Sequence, residues 1–340
     1  MSAGASGSSA ASSGPKPLPN PSTGSANPSA SLQALWGYLQ PALNHIVRSP
    51  TNNTAKAPAI EVAYHMGIHT AVYNYFTTQS DTAAVQPPKG IAPTPLQRGD
   101  KGKASGTDLY EQLDRYYADV AREIFLAAPH DDSSLVYYLI PCFNRYSAGA
   151  QSVNRLLNYV NRHYVKRAVD EDKGWLKIAD VFDAVAQSIQ ENETREQIQI
   201  RIKERRTEEL KKWGYENGAT SEQLALAEAY AEAASPPDRV VPLTSLAHRR
   251  FRVEVIDPLL AIPKAKKGKK KKPPVDADKP ALPKGRLARA SKQFLEDDKI
   301  DPEEKRRLAT ELAIVLKTVG IKVDHPLRKK LEKYAEMPNT

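Results

Sequence analysis

The sequence contains a single cysteine, Cys142, and no long run of apolar residues. One cysteine cannot form an intrachain disulfide, which argues against a small secreted protein held together by disulfide bonds. No apolar run approaches the ~20 residues that a membrane-spanning helix requires, and the N-terminus lacks the basic and then apolar pattern of a signal peptide. We therefore expect an intracellular protein, in the nucleus, the cytoplasm or both, with no membrane contact.

The positive charge is concentrated in one short segment. The 340-residue chain has a net charge of +9, but residues 264–292 contain twelve Lys or Arg and only two Asp. That segment therefore carries +10, and the rest of the chain is close to neutral. Its lysine run consists of Lys266, Lys267, Lys269, Lys270, Lys271 and Lys272. The run favours a nuclear import signal and a plain solvated linker equally. Because it has no interleaved aromatic residues on which bases could stack, we expect at most non-specific contact with nucleic acid.

The sequence also lacks the alternation of apolar and polar residues that is typical of strands, so we predict an all-α protein. Apolar residues at helical spacing predict helices near residues 32–47, 59–78, 109–125, 133–146, 154–175, 176–189, 191–213, 221–234, 243–260, 282–295, 301–319 and 325–334. Predicted N-caps are Ser31, Thr107 or Asp108, and Asp301. Residues 131–133 are predicted to start a helix, and Gly320 to end one. Pro41 and Pro141 conflict with helix interiors and predict a kink, or at Pro41 a new helix.

Composition divides the chain into five parts. Residues 1–30 are rich in Ser, Ala, Gly and Pro and predict a disordered leader. Residues 31–190 predict a helical bundle, interrupted by a disordered loop at 79–106 that is unusually long for a compact domain. Residues 191–262 predict a charged helical extension, 263–281 a Lys- and Pro-rich linker, and 282–336 a short helical segment.

No constellation of residues indicates catalysis. His65 and His69 lie four residues apart and would share a helix face, but no Glu follows the first His and no third ligand has an obvious position, so a metal site is disfavoured. The glycine-rich GDKGKASG lacks the Ser or Thr and the preceding strand of a phosphate-binding loop. Cys142 lies among apolar residues and is best interpreted as a buried hydrophobe. We therefore expect no enzyme, no cofactor, no metal and no small-molecule substrate.

The stretch from Asn154 to Trp175 is the most informative segment of the chain. Its apolar residues recur every three or four positions and predict one buried stripe, whereas Asn158, Asn161 and Arg162 fall mostly on the opposite side. An amphipathic helix of this kind is stable only when its apolar stripe packs against other helices. Its polar side is then free to meet a partner.

Three stretches together resemble the first N-terminal repeat of a cullin. ALWGYLQPALNHIV resembles the opening helix, HMGIHTAVYNYFTT the second, and LYEQLDRYYADVAREI through LLNYVNRHYVKRAVDEDKG the third to fifth. The resemblance covers about residues 32–190, and NRHYVKR with the acidic turn that follows is its most specific part. Beyond residue 190, FRVEVIDPLLA alone resembles a remnant of a second repeat.

Cullins are scaffolds of RING-type ubiquitin ligases, in which the first repeat carries an adaptor on its second and fifth helices. The resemblance therefore implies a non-catalytic scaffold module for ubiquitin-dependent protein degradation that binds a Skp-like or BTB-type adaptor. The implied contacts are His65, Met66, His69, Val72 and Tyr73 on the second helix, and Asn158, Asn161, Arg162 and Val165 on the fifth. The alternative is that Val72, Tyr73 and Val165 are simply buried.

The sequence departs from the cullin pattern in two respects. His65 and His69 stand where many cullins have tyrosines, which removes aromatic area from the implied contact. No stretch resembles the cullin homology domain that holds the RING subunit, so the resemblance implies a module without the RING-binding half. A second hypothesis is a helical nuclear protein that contacts nucleic acid or chromatin through its lysine-rich arm. Deletion of residues 264–272 would discriminate between the two hypotheses.

Overall fold

The computed structural model describes residues 27–49, 53–84, 105–186, 194–262 and 285–336. These residues form helices and connecting turns and include no strand, which confirms the all-α prediction. The helices are α1 (Leu32–Arg48), α2 (Val62–Ala84), α3 (Thr107–Leu126), α4 (Asp132–Leu156), α5 (Asn158–Val160), α6 (Lys166–Ala168), α7 (Ile178–Ala186), α8 (Arg195–Lys211), α9 (Ser221–Ala234), α10 (Leu243–Phe251), α11 (Asp257–Leu260), α12 (Arg286–Glu296), α13 (Pro302–Thr318) and α14 (Pro326–Glu336).

Three predicted helix starts are confirmed by hydrogen bonds, whereas the helix predicted from Asn154 begins inside α4, which continues to Leu156. The side chains of Ser31, Asp131 and Asp301 each accept a bond from a backbone N–H in the first turn of their helix. Three bonds from Ser133 and Ser134 hold the pKa of the Asp131 carboxyl far below its usual range. The predicted cap at Thr107 or Asp108 was wrong: Gly106 occupies the N-cap position of α3 with a φ of 90°, and both residues lie inside the helix. Helix α2 also extends six residues beyond the predicted end at Thr78.

Both internal prolines lie within single helices. Helix α1 runs through Pro41 and α4 runs through Pro141, so no new helix begins at Pro41. The ring of Pro141 is exposed, as is Tyr137 four residues earlier, so the backbone carbonyl that proline deprives of a partner lies on the solvent side of the helix. Water can satisfy a carbonyl in that position, which reduces the cost of the missing bond.

Three π-helical turns interrupt the regular helices. They span Asn161–Val165, between α5 and α6; Val169–Lys173, after α6; and Arg252–Ile256, between α10 and α11. A π-helical turn adds a residue to the helical repeat and so changes which side chains face the core. We call residues 158–173, with their two π-helical turns, the α5–α6 segment.

Helix α10 completes the core formed by α1 to α4. The Tyr110 hydroxyl donates to the Val241 carbonyl over 2.9 Å, accepts from the Val241 N–H over 3.0 Å, and is buried between α3 and the start of α10. Arg250 forms a two-point ion pair with Asp114 of α3. The Tyr146 hydroxyl of α4 donates to the Ala247 carbonyl over 3.0 Å. Phe251, Val255 and Ile256, from the stretch that resembled a remnant of a second repeat, are also buried in this core.

The C-terminal helices share this core. Helices α12 and α13 pack against α4, and their buried apolar residues belong to the same cluster as those of α1 to α4 and α10. Asp132 accepts bonds from Arg286 and Arg289 of α12. Gly285, at the N-cap of α12, lies so close to the end of α11 that an added Cβ would clash with the backbone of Leu260. The five-part division of the chain stays a prediction, although its second, third and fifth parts contribute to one core.

Helices α7 to α9 form a more exposed layer. A small second cluster of Leu210, Ala227 and Ala231 packs against Trp175, which also contacts the main core. The predicted leader and the 79–106 loop lie largely outside the described residues, as does the whole lysine run. None of the described helices is both long and apolar enough to cross a membrane.

Candidate protein-docking surface

Helix α2 and the α5–α6 segment are neighbours, and Tyr159 joins them. The ring centroid of Tyr159 lies 5.2 Å from that of Phe76, 5.6 Å from that of Tyr73 and 6.4 Å from that of His69, all edge to face. His163 stacks on the same ring at 3.9 Å. Such aromatic pairs each add about 0.5–1.5 kcal/mol beyond the burial of their surface. The two helices predicted to meet a partner therefore lie side by side.

The predicted contacts on α2 divide into exposed and buried residues. Met66 and Tyr73 are large and apolar, yet 58% and 47% of their surfaces are exposed, and His69 between them is also exposed. His65 is half-buried. Val72 retains only 1% exposure and belongs to the core, so its inclusion as a contact was wrong. Val72 directly precedes Tyr73 in α2. Because adjacent side chains of a helix point about 100° apart, Val72 can lie in the core while Tyr73 is exposed.

The predicted contacts on the α5–α6 segment divide in the same way. Asn158 and Arg162 are exposed, and no hydrogen bond or ion pair of either side chain is recorded among the described residues. Asn161 is half-buried: its amide donates to the Asn154 side chain over 2.8 Å and its oxygen accepts from the Leu243 N–H over 3.1 Å. Asn161 therefore attaches this segment to α10. Val165 has 4% exposure and is a core residue, which corrects the prediction that it contacts a partner.

Sequence reasoning missed the centre of this surface. Neither Tyr159 nor His163 was predicted as a site residue, although Tyr159 contacts three α2 side chains. The available signal was an aromatic residue next to the polar Asn158 on the side that faces a partner. We define the α2–α5 surface as Met66, His69, Tyr73, Asn158, Tyr159, Arg162 and His163.

A hydrogen-bond network fixes the C-terminal half of α2 against the start of α3. The Tyr75 hydroxyl donates to Asp108, and the Gln79 amide donates to both Tyr75 over 2.7 Å and Asp108 over 3.0 Å. The Gln79 oxygen accepts from the Gly106 N–H over 2.9 Å. Burial first, and then the bond to Asp108, raise the pKa of Tyr75 well above its usual value. This network holds α2 in place beside the α5–α6 segment.

His248 and Cys142 are both buried. Among the described residues, one Ser–His hydrogen bond joins Ser147 to Nε2 of His248 over 2.9 Å. Burial lowers the pKa of the His248 imidazole to about 4. Burial likewise raises the pKa of the Cys142 thiol, which disfavours the thiolate. Across the described residues, no group of three His, Cys, Asp or Glu side chains has the geometry of a metal site.

Comparisons with known proteins found two distant relatives. The chain is 22% identical over 146 residues to cell division control protein 53 of Saccharomyces cerevisiae, a match that covers 42% of this chain and 17% of that protein. It is also 22% identical over 146 residues to cullin-1 of Dictyostelium discoideum, covering 43% of this chain and 18% of that protein. No family model matches, and no solved structure matches. The matches indicate a distant, cullin-like relationship and span less than a fifth of either relative.

Proposed function

We propose that this chain is a non-catalytic, cullin-like scaffold module that binds an adaptor of a cullin-RING ubiquitin ligase, of Skp-like or BTB type, through the α2–α5 surface. One observation carries the proposal: the exposed side chains of His69 and Tyr73 on α2 contact Tyr159 of the α5–α6 segment, and exposed Met66 lies one turn before His69 on the same helix. These are the two helices on which the cullin resemblance implies an adaptor site. The distant similarity to cullin-1 and to cell division control protein 53 supports the same class of function.

The composition of the surface suits a protein partner. Its centre is aromatic and apolar, formed by Met66, Tyr73 and Tyr159, and its edge is polar, formed by Asn158 and Arg162. Protein interfaces commonly combine a few aromatic or Met anchors with a polar rim. The core does not require the exposed parts of Met66 and Tyr73, because the neighbouring Ile68, Val72 and Phe76 already fill it.

The test is binding of the full chain to purified Skp-like and BTB adaptors, first by pull-down and then by calorimetry. Removing two anchors in the double variant Met66→Ala, Tyr73→Ala should weaken binding by about tenfold or more, since hot-spot residues each contribute about 2 kcal/mol. The matched control is Leu226→Ala, Ile314→Ala, which removes two similarly exposed apolar side chains from α9 and α13.

Circular dichroism should show that both double variants keep the helical content of the parent chain, because all four side chains are about half exposed. The proposal is contradicted if no adaptor of either type binds the parent chain. It is also contradicted if the control variant weakens binding as much as the α2 variant, since the loss would then reflect nonspecific apolar contact.

A further inference from the structure

A groove lies beside the α2–α5 surface, between residues 55–60 and the C-terminal half of α4. It encloses about 420 Å³, and its apolar lining includes Ile46, Ile60 and Leu156. Polar lining comes from Lys56, His65, Gln151, Ser152 and Arg155. The groove therefore combines an apolar lining with three basic side chains.

The basic side chains of this groove face almost no carboxylates. Asp and Glu are absent from the sequence between Met1 and Glu61 and again between Asp132 and Asp170, the two stretches that supply most of the lining. Within the described residues, the recorded side-chain bond of Arg155 goes to the Ser152 hydroxyl over 3.0 Å, and no ion pair of Lys56 or Arg155 is recorded.

Several other arginines have acidic partners. Arg48 pairs with Glu123, Arg250 with Asp114, and Arg307 with two glutamates of its own helix. Lys56 and Arg155 thus differ from these paired arginines. Exposed positive charge that is not neutralised internally attracts acidic ligands and steers their approach.

The groove and the α2–α5 surface adjoin each other along two helices. His65 precedes His69 by one turn of α2, and Arg155 precedes Asn158 by three residues at the end of α4. A protein bound at Tyr73 and Tyr159 could therefore extend a segment of its chain towards Lys56 and Arg155. This continuity links the groove to the binding function proposed above.

We propose that the groove binds an acidic, partly apolar peptide segment of the same protein that docks on the α2–α5 surface; this inference rests on the proposed function. Glu or Asp side chains of the segment would pair with Lys56 and Arg155, and its apolar side chains would contact Ile60 and Leu156. A nucleic acid fits less well, because the groove is lined by apolar aliphatic side chains and offers no aromatic ring other than His65 for base stacking.

The test uses the full chain and a short fluorescein-labelled peptide of repeated Glu and Leu, with binding followed by fluorescence anisotropy. The double variant Lys56→Glu, Arg155→Glu should raise the Kd for this peptide by about tenfold or more, since it replaces two attractive charges by two repulsive ones. The matched control Lys329→Glu, Lys330→Glu changes the net charge equally on exposed residues of α14. The control should bind the peptide like the parent chain.

Three results would overturn the inference. One is absence of peptide binding by the parent chain, and another is equal weakening in both double variants, which would indicate attraction by net charge alone. The third is tighter binding of a single-stranded oligonucleotide than of the peptide, with loss of that binding in the groove variant, because the groove would then be a nucleic-acid site.

The adaptor assay separates this inference from the proposed function. If the inference holds, the groove variant Lys56→Glu, Arg155→Glu weakens adaptor binding and also reduces the dependence of that binding on salt. The α2 variant Met66→Ala, Tyr73→Ala weakens adaptor binding but leaves peptide binding unchanged. Failure of every adaptor to bind the parent chain contradicts the proposed function. If Lys56→Glu, Arg155→Glu changes neither adaptor binding nor peptide binding, the inference about the groove is wrong, but the proposed adaptor binding still stands.

Discussion

Two tyrosines of α3 should respond in opposite ways to the loss of their hydroxyl groups. Tyr110 and Tyr117 are both buried, with 5% and 0% exposure. The Tyr110 hydroxyl makes two hydrogen bonds with the backbone of Val241, whereas the Tyr117 hydroxyl has no partner among the described residues. Replacement by Phe keeps the ring and its packing in both cases. The pair of variants therefore isolates the effect of hydrogen bonding from that of packing.

The expected magnitudes follow from the bonds that are lost. In Tyr110→Phe, the N–H and C=O of Val241 both lose a buried partner, and each unsatisfied group costs about 1–3 kcal/mol. We expect the free energy of unfolding to fall by about 2–4 kcal/mol. Tyr117→Phe removes a polar group that is already buried without a partner, so we expect no change or stabilisation of about 1 kcal/mol.

Urea denaturation followed by circular dichroism measures both effects. The midpoint should shift between the variants while the slope m stays constant, since neither substitution changes the surface exposed on unfolding. The reasoning is refuted if Tyr117→Phe destabilises the chain as much as Tyr110→Phe. The hydroxyl groups would then act through packing, and α10 would not depend on Tyr110 for its attachment to α3.

Further tests concern a helix end and the response to pH. An added Cβ at Gly320 would clash with the backbone of Tyr230 and Ala234, so Gly320→Ala should destabilise the chain by at least about 3 kcal/mol in urea denaturation. Gly218 has a similar positive φ but open space around it, so the control Gly218→Ala should cost only about 1–2 kcal/mol. Equal costs would argue against the clash. Burial lowers the pKa of His248 to about 4, so the stability contributed by neutral His248 is lost as pH falls from 6.5 towards 4. Burial raises the pKa of Glu232 to about 7, so the stability contributed by protonated Glu232 is lost as pH rises from 4.5 to 7. Each trend amounts to at most about 1.4 kcal/mol per pH unit, and in the parent chain the two oppose each other. In Glu232→Gln the free energy of unfolding should therefore rise between pH 4.5 and 6.5, and in His248→Gln it should fall. Urea denaturation across that range measures both, and a pH dependence of the unfolding free energy that is the same in both variants as in the parent chain would contradict the assignment.

Local patterns in the sequence were sufficient to predict the helices and several of their ends. Ser31, Asp131 and Asp301 cap helices because a short side-chain oxygen next to an apolar stripe satisfies the exposed N–H groups of the first turn. At the start of α3, the sequence pattern predicted Thr107 or Asp108 as the cap, but Gly106 occupies that position. The choice was made by packing, since Gly106 lies against the ring of Phe76 and its N–H bonds to Gln79.

The partners of each helix could not be predicted from local patterns. Residues 243–260 were assigned to a charged extension, yet α10 lies in the centre of the core, attached through Tyr110 at a separation of 131 residues. Such a contact leaves no periodic signal near either residue. Val165 shows a different limit. The cullin resemblance implied it as a contact, whereas the apolar spacing of residues 154–175 placed it in the buried stripe, and its 4% exposure agrees with the spacing.

The close approach of Gly285 to Leu260 has a consequence for how the chain could be rebuilt. Because Gly285 lies against Leu260, the connection between α11 and α12 has no distance to span, and each doubling of its length adds only about 0.6 kcal/mol of closure entropy. A protease cut there should leave α12 held on α4 by its own apolar contacts and by the ion pairs of Arg286 and Arg289 with Asp132. Evolution and protein engineering alike can therefore lengthen, shorten or recode this connection, including its lysines, without redesigning the bundle.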